Sequence, residues 1–286
     1  MDTQPIDYIA RWRAVVATRR EQHDAVCAAQ SRTTDDYWAR RAQSFRKFTH
    51  EASHFEDPFL VSIRRQLRPD DTVLDIGAGT GRHSIALAAD ARRVTALDPS
   101  GAMLQFLRDD LHEQGITNVD VIEGGWPETE APEVDVAVCS HVLYPIEDVV
   151  PFLRAMDRGA RRLCFLHMMA GQPWFDQLDL WRAVHGEERR RQPTYIDAVN
   201  VLHQLGCYAN VEIARVEIPR AFESLDDAFD RFAESVAVGE DPGQRERLRQ
   251  ALGERLTKLE DGRLGLPRGA YPLATIWWQS GALAER

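Results

Sequence analysis

The sequence predicts an α/β fold built on a parallel sheet, and three observations carry that prediction. Between positions 72 and 168, short apolar runs alternate with stretches of helical spacing, the pattern of βαβ units. The runs look mostly apolar rather than strictly alternating, as expected of strands covered on both faces. The first run ends in a glycine cluster, Gly77-Ala78-Gly79-Thr80-Gly81, which leads into a helical stretch. The chain has 286 residues, more than one average domain and fewer than two, so one large α/β unit with appendages is expected. With 44% hydrophobic and 28% charged residues it reads as an ordinary globular protein, not a collagen, coiled coil or disordered chain.

Residues 1–60 read as a polar helical cover. Ile9, Trp12, Val15 and Val16 recur at helical spacing, and a second helical stretch, Asp35 to Phe48, places Tyr37, Trp38, Ala42 and Phe45 near one face. The body is expected over 61–286. Its strands are Val73–Ile76, Val94–Leu97, Val119–Ile122, Val134–Cys139 and Leu163–Met168, separated by helical segments such as Ala102–Leu111. Thr194–Leu205 follows as a helix and Val211–Ile218 as a β-branched strand. Residues 224–238 and 243–259 look like two amphipathic helices within an insertion at about 219–272, and Ala274–Gln279 is a last strand. Glu187 to Arg191 has mixed charge at helical spacing, the mark of a solvated helix face.

The formal charge is −10, which argues against gripping nucleic acid through phosphate contacts. No run is long enough to cross a membrane, and the first residues lack a signal pattern. None of the four cysteines forms a CxxC, so a reducing, cytoplasmic setting is expected, with no metal-ligand cluster.

The glycine cluster is the most informative segment. Glycines let the chain turn sharply and let a ligand approach the main chain, and the helix behind them presents unpaired N–H groups. The spacing departs from a dinucleotide fingerprint, because Arg82 stands where that fingerprint needs glycine. Asp75 lies at the end of the first strand and Asp98 at the tip of the second, where an acid can accept hydrogen bonds from ribose hydroxyls. A ribose-bearing ligand without a pyrophosphate fits this pair.

On these residues the chain resembles the class I S-adenosylmethionine-dependent methyltransferases. The resemblance implies a Rossmann-like sheet of seven strands, mostly parallel with the last strand antiparallel, and with helical cover segments. It implies S-adenosylmethionine as cofactor and S-adenosylhomocysteine as product. By the same resemblance Asp75 and Gly77, Ala78, Gly79, Thr80 and Gly81 surround the methionine moiety. Asp98 binds the ribose, and Pro99 and Met103 pack near the adenine. Where the family often has an acid after the third strand this chain has Gly125, so adenine contacts fall to main chain near Gly125 and to Trp126. The segment Ser140-His141-Val142-Leu143-Tyr144 looks like the family stretch between cofactor and substrate. His141 and Tyr144 are the catalytic candidates, beside structural readings of both, and His167 ends the fifth strand on the same side. The Tyr37-Trp38 pair, with Arg40, Arg41 and Phe45, resembles a segment laid over the cofactor.

The implied connection between the sixth and seventh strands arches over the site. Trp174, Phe175, Arg220, Phe222 and Tyr271 in the covering segments are candidates to line a roofed pocket. Such a pocket suits a small-molecule acceptor, with no nucleic-acid or membrane partner. The alternatives are an RNA or protein methyltransferase on the same fold, a nucleotide-dependent oxidoreductase, and a non-catalytic cofactor-binding protein.

Overall fold

The apolar runs hydrogen-bond into one seven-stranded sheet in a computed structural model that describes residues 5–30, 42, 46, 57–171, 175–217, 220–266 and 270–283. The helical stretch expected around Asp35–Phe48, with Tyr37, Trp38, Arg40, Arg41 and Phe45, lies outside the described residues, as does Trp174. The strands are β1 (Thr72–Ile76), β2 (Arg93–Asp98), β3 (Val119–Glu123), β4 (Val134–Ser140), β5 (Ala160–Met169), β6 (Asn210–Glu217) and β10 (Ala270–Gln279). Their order is β3-β2-β1-β4-β5-β10-β6. β1 pairs in parallel with β2 and β4, β2 with β3, and β4 with β5, whereas β10 runs antiparallel to both β5 and β6. The order reverses between β1 and β4, so the carboxyl ends of these two strands flank the crevice where open α/β sheets bind ligands.

Alternate residues of the central strands feed two different helical layers. On one face Val73, Val136, Val138 and Phe165 pack with Phe59 and Ile63 of α2 (Pro58–Arg64) and Leu87 of α3 (Arg82–Ala88). On the other, Leu74, Ile76, Ala137 and Cys139 pack with Trp12 and Val16 of α1 (Tyr8–Ala29). Phe152 and Leu153 of α5 (Val149–Gly159) and Val201 and Leu202 of α7 (Tyr195–Gln204) complete that layer. The helix α4 (Gly101–Glu113) closes the β2 side through Leu104, Leu107 and Leu111. Each element has a local cause. Ser100 caps α4, Asp57 caps α2 ahead of Pro58, and Thr194 with Asp197 forms a capping box on α7. The four cysteines are free and buried, as small hydrophobes.

The strand β10 begins earlier than the sequence suggests, because Pro272 masks its start. Pro272 lies opposite Arg215 of β6, and its carbonyl accepts from Ala170 N at 2.8 Å just past the last β5 pair at Leu273–Met169, so its missing N–H removes a single donor at the end of the pairing. The insertion holds α8 (Leu225–Ala233) and α9 (Pro242–Gly253), both shorter than expected. It also holds a small sheet in the order β7-β9-β8, built from Ala221–Phe222, Leu264–Gly265 and Thr257–Lys258. Residues 187–191 form no helix. Arg189 stacks on Trp181 at 3.6 Å, and Arg191 pairs with Asp197 at 2.9 Å.

A second hydrophobic core binds the covers together. Cys27 of α1 joins Leu180, Trp181 and Val184 of α6 (Phe175–His185), Phe222, Phe229 and Phe232, and Leu248 and Leu252 of α9. The α6 segment leaves from the carboxyl end of β5 and the insertion from that of β6, the same side as the β1–β4 crevice. No described helix is long and apolar enough to cross a membrane.

Candidate cofactor and substrate site

The loop after β1 is a backbone cradle. Gly77, Gly79 and Gly81 have φ of +76°, +57° and +87°, the left-handed region that a Cβ disfavours. Two of them are also held by close packing. A Cβ on Gly77 would stand 2.2 Å from Val142 Cγ2, and one on Gly81 2.2 Å from Leu107 Cδ1. The N–H groups of Gly77 and Ala78 donate to Leu97 O at 2.7 and 3.1 Å, which ties the cradle to β2.

Asp98 ends β2 beside this cradle. Its Oδ2 accepts from Gly79 N at 2.9 Å and its Oδ1 from Ser100 N at 2.8 Å, so the carboxylate is oriented before any ligand arrives. Burial pushes its pKa up, against the pull of those two N–H donors. Asp75 is placed differently. It is 1% exposed and accepts from Ser84 Oγ at 2.6 Å, behind the loop, where it clamps α3 onto β1; burial pushes its pKa up as well. Ala78, Thr80 and Met103 are buried around the cradle and Pro99 is exposed.

Glu123, at the tip of β3, pairs in register with Asp98, and its carboxylate oxygens lie 3.0 Å from where a Gly101 Cβ would stand. The sequence reading passed over this acid for Gly125, two positions on. Trp126 is half-buried against α5, its Nε1 donating to Phe152 O at 3.2 Å and its ring edge-on to Phe152. Ser140 Oγ, at the end of β4, is buried with no hydrogen-bond partner among the described residues.

Across the crevice the structure gathers imidazoles that lie far apart in sequence. His141 takes φ +59°, its N–H donating to His167 O at 2.9 Å. Its Nδ1 lies 2.8 Å from Tyr144 Oη, which in turn accepts from Met169 N at 2.9 Å. The His141 ring meets His167 edge-on at 5.0 Å, and His167 stacks on Phe59 at 4.7 Å. Phe59 also meets His83 at 5.2 Å. His83 Nε2 lies 3.1 Å from Asp57 Oδ2, and Arg82 reaches the same oxygen at 2.8 Å. Burial, with Arg82 and His83 nearby, pushes His141 down to about 4, so its ring is neutral at pH 7; burial next to His141 lowers His167 too. Against its own burial, Asp57 is held well below the usual carboxylate range by His83 and Arg82.

Asp57, Arg82 and His83 escaped the sequence reading as site residues. Arg82 and His83 follow the glycine cluster directly, and Asp57 gives itself away only as a cap before Pro58. Of the proposed roof residues, Phe222 sits inside the second core at 1% exposure and faces no open pocket. Arg220 lies over the ring of buried Tyr271 at 5.1 Å.

The donor set fits a charged nucleoside such as S-adenosylmethionine: an oriented carboxylate for hydroxyls, a side-chain-free cradle and an unpartnered buried hydroxyl. Comparison with known proteins agrees. Residues 73–162 match the family model described as a methyltransferase domain. An uncharacterized protein of Haemophilus influenzae is 26% identical over 216 residues, covering 74% of this chain and 77% of that one. A "Probable ribosomal RNA small subunit methyltransferase A" of Methanosarcina acetivorans is 31% identical over 114 residues, 37% of this chain and 41% of that protein. The chain thus spans well under half of that relative. The solved YcgJ protein of Bacillus subtilis shares the fold with a TM-score of 0.53 at 16% identity, covering 76% of this chain and 97% of that one. Cradle, strand order and family match converge on one conclusion: residues 73–162 match a methyltransferase domain, set in a Rossmann-like sheet whose last strand runs antiparallel.

Proposed function

We propose that this chain transfers the methyl group of S-adenosylmethionine to a small-molecule acceptor. The observation that carries the cofactor half is Asp98, fixed by Gly79 and Ser100 beside a cradle that tolerates no side chain at Gly77. Its remaining lone pairs are free to receive ribose hydroxyls, and a pre-oriented acceptor loses little on binding. Bound there, the cofactor supplies a methyl group already activated on a positively charged sulfur. The chain's task is then to orient the acceptor in line with that group and to keep water out. Asp75, behind the loop, acts by holding α3 in place.

The second core supports the small-molecule half, because it ties α1, α6 and the insertion into one cover on the crevice side. A cover of that kind admits a small acceptor more readily than a folded polymer. Four free, buried cysteines suit a cytoplasmic setting. The ribosomal RNA relative favours RNA as a second reading, against an acidic chain of net charge −10.

One experiment separates the two. The protein is incubated with methyl-labelled S-adenosylmethionine and a cell extract, which is then divided into small-molecule, RNA and protein fractions. Label in the small-molecule fraction is expected. Label confined to RNA or to protein refutes the reading.

A further inference from the structure

The contacts of Tyr144 decide which nitrogen of His141 carries the proton, and this bears on how the methyl acceptor is held. Tyr144 Oη has one proton and two lone pairs. Met169 N–H can only donate, and it spends one lone pair of Tyr144 at 2.9 Å. The tyrosine proton then needs an acceptor, and His141 Nδ1 is there at 2.8 Å. The opposite arrangement, with Nδ1–H donating to Tyr144, would leave the tyrosine proton with no acceptor among the described residues. In the half-buried surroundings of Tyr144, an unmade hydrogen bond costs about 1–3 kcal/mol. Nδ1 therefore holds a lone pair, and the proton of the neutral ring sits on Nε2.

Two further observations put His141 at the crevice. His141 follows β4 directly, at the point where the strand order reverses. Its φ of +59° is unusual for a residue with a side chain and is accompanied by the bond from its N–H to His167 O. Backbone conformations of this kind cluster at ligand-contacting positions. Nε2 itself has no hydrogen-bond partner among the described residues.

We infer that Tyr144 locks His141 as an Nε2–H donor, which hydrogen-bonds to an oxygen of the methyl acceptor instead of removing its proton. Tyr144 is a positioning residue, and His141 is the group that touches substrate. The acceptor class is an oxygen-bearing small molecule, a carbonyl or carboxylate compound, whose nucleophile does not depend on His141 for deprotonation. This rests on the methyl-transfer reading above.

The test has two independent arms. In the first, long-range proton–nitrogen correlation spectra are recorded on the full 15N-labelled chain at neutral pH, with His141 assigned by its loss in His141→Gln. A pyridine-like Nδ1 and a pyrrole-like Nε2 are expected in the wild type, and Tyr144→Phe should draw the two resonances together. A pyrrole-like Nδ1 in the wild type overturns the lock, whether or not the variant folds. In the second arm, labelling of the small-molecule fraction is measured for His141→Gln, whose amide retains an N–H donor, and for His141→Ala. His141→Gln should stay within about tenfold of wild type and His141→Ala should fall further, whereas the loss of a general base would cost both variants about a hundredfold or more. Equal loss in both variants overturns the donor role. If the wild type labels no fraction, the methyl-transfer reading fails and takes the acceptor role of His141 with it, while the spectra still decide the lock.

Discussion

Replacing Gly77 with alanine tests how the cradle is built. Gly77 has φ +76°, where a side chain costs roughly 1–2 kcal/mol. The added methyl would also stand 2.2 Å from Val142 Cγ2, an overlap that must be relieved by moving the loop or the β4 tip. Overpacking of this kind costs about 1–3 kcal/mol, so Gly77→Ala should destabilise the fold by about 2–5 kcal/mol. That is a large share of the roughly 5–15 kcal/mol that holds a domain together. The two contributions can be separated. Val142→Ala removes Cγ2 and leaves Val142 Cβ 3.4 Å away, an ordinary contact. In that background Gly77→Ala should cost only the conformational share, about 1–2 kcal/mol, so the two substitutions couple by about 1–3 kcal/mol. Urea unfolding of the four proteins, followed by circular dichroism, measures all three quantities. An equal cost of Gly77→Ala in both backgrounds would refute the packing argument. A cost below about 0.5 kcal/mol would refute the left-handed turn as well.

Two more outcomes follow from buried groups. Ser84→Ala leaves the Asp75 carboxylate without its hydroxyl donor and should cost about 1–3 kcal/mol. Burial already holds the pKa of Asp75 above its unfolded value of 3.8, so the folded state is favoured by protonation. The penalty of Ser84→Ala should therefore grow as pH rises from about 4 to about 7, and a penalty that shrinks over that range would contradict the placement of Asp75. His141 gives the opposite sign. Its folded pKa of about 4 lies below the unfolded 6.5, so its contribution is complete above 6.5 and is lost as pH falls toward about 4. The stability difference between wild type and His141→Gln should narrow by up to about 1.4 kcal/mol per pH unit in that window. A difference that stays constant between about pH 7 and about pH 5 would show that His141 is solvated like a free imidazole.

The sheet was legible where its signals are local. The runs Val73–Ile76 and Val134–Cys139 are apolar except for Asp75 and Asp135 because both of their faces are covered, and the glycine cluster marks the turn between β1 and α3. The cradle and Asp98 could be read for the same reason, since strand tip, turn and helix start follow one another along the chain. What escaped depends on contacts between distant positions. Asp57 meets His83 across 26 residues and His141 meets His167 across as many, and no local periodicity records either pairing. The small sheet consists of two-residue strands, too short for an alternating pattern. Pro272 hides the start of β10, because a proline is tolerated there only at the end of the β5 pairing, where a single donor is lost. Phe222 reads as a pocket residue from its place in the chain, yet it is buried in the second core with its ring 5.9 Å from that of Phe232.

Calorimetric titration of the full chain with S-adenosylhomocysteine, beside the variant Asp98→Ala, measures whether Asp98 holds the cofactor's ribose. Asp98 should contribute charge-assisted hydrogen bonds to the ribose worth about 1–3 kcal/mol, a weakening of about 5- to 150-fold in the variant. Wild-type binding with that loss, in a variant whose circular dichroism is unchanged, is expected. Equal affinity in the two proteins, or no binding by the wild type, would contradict it.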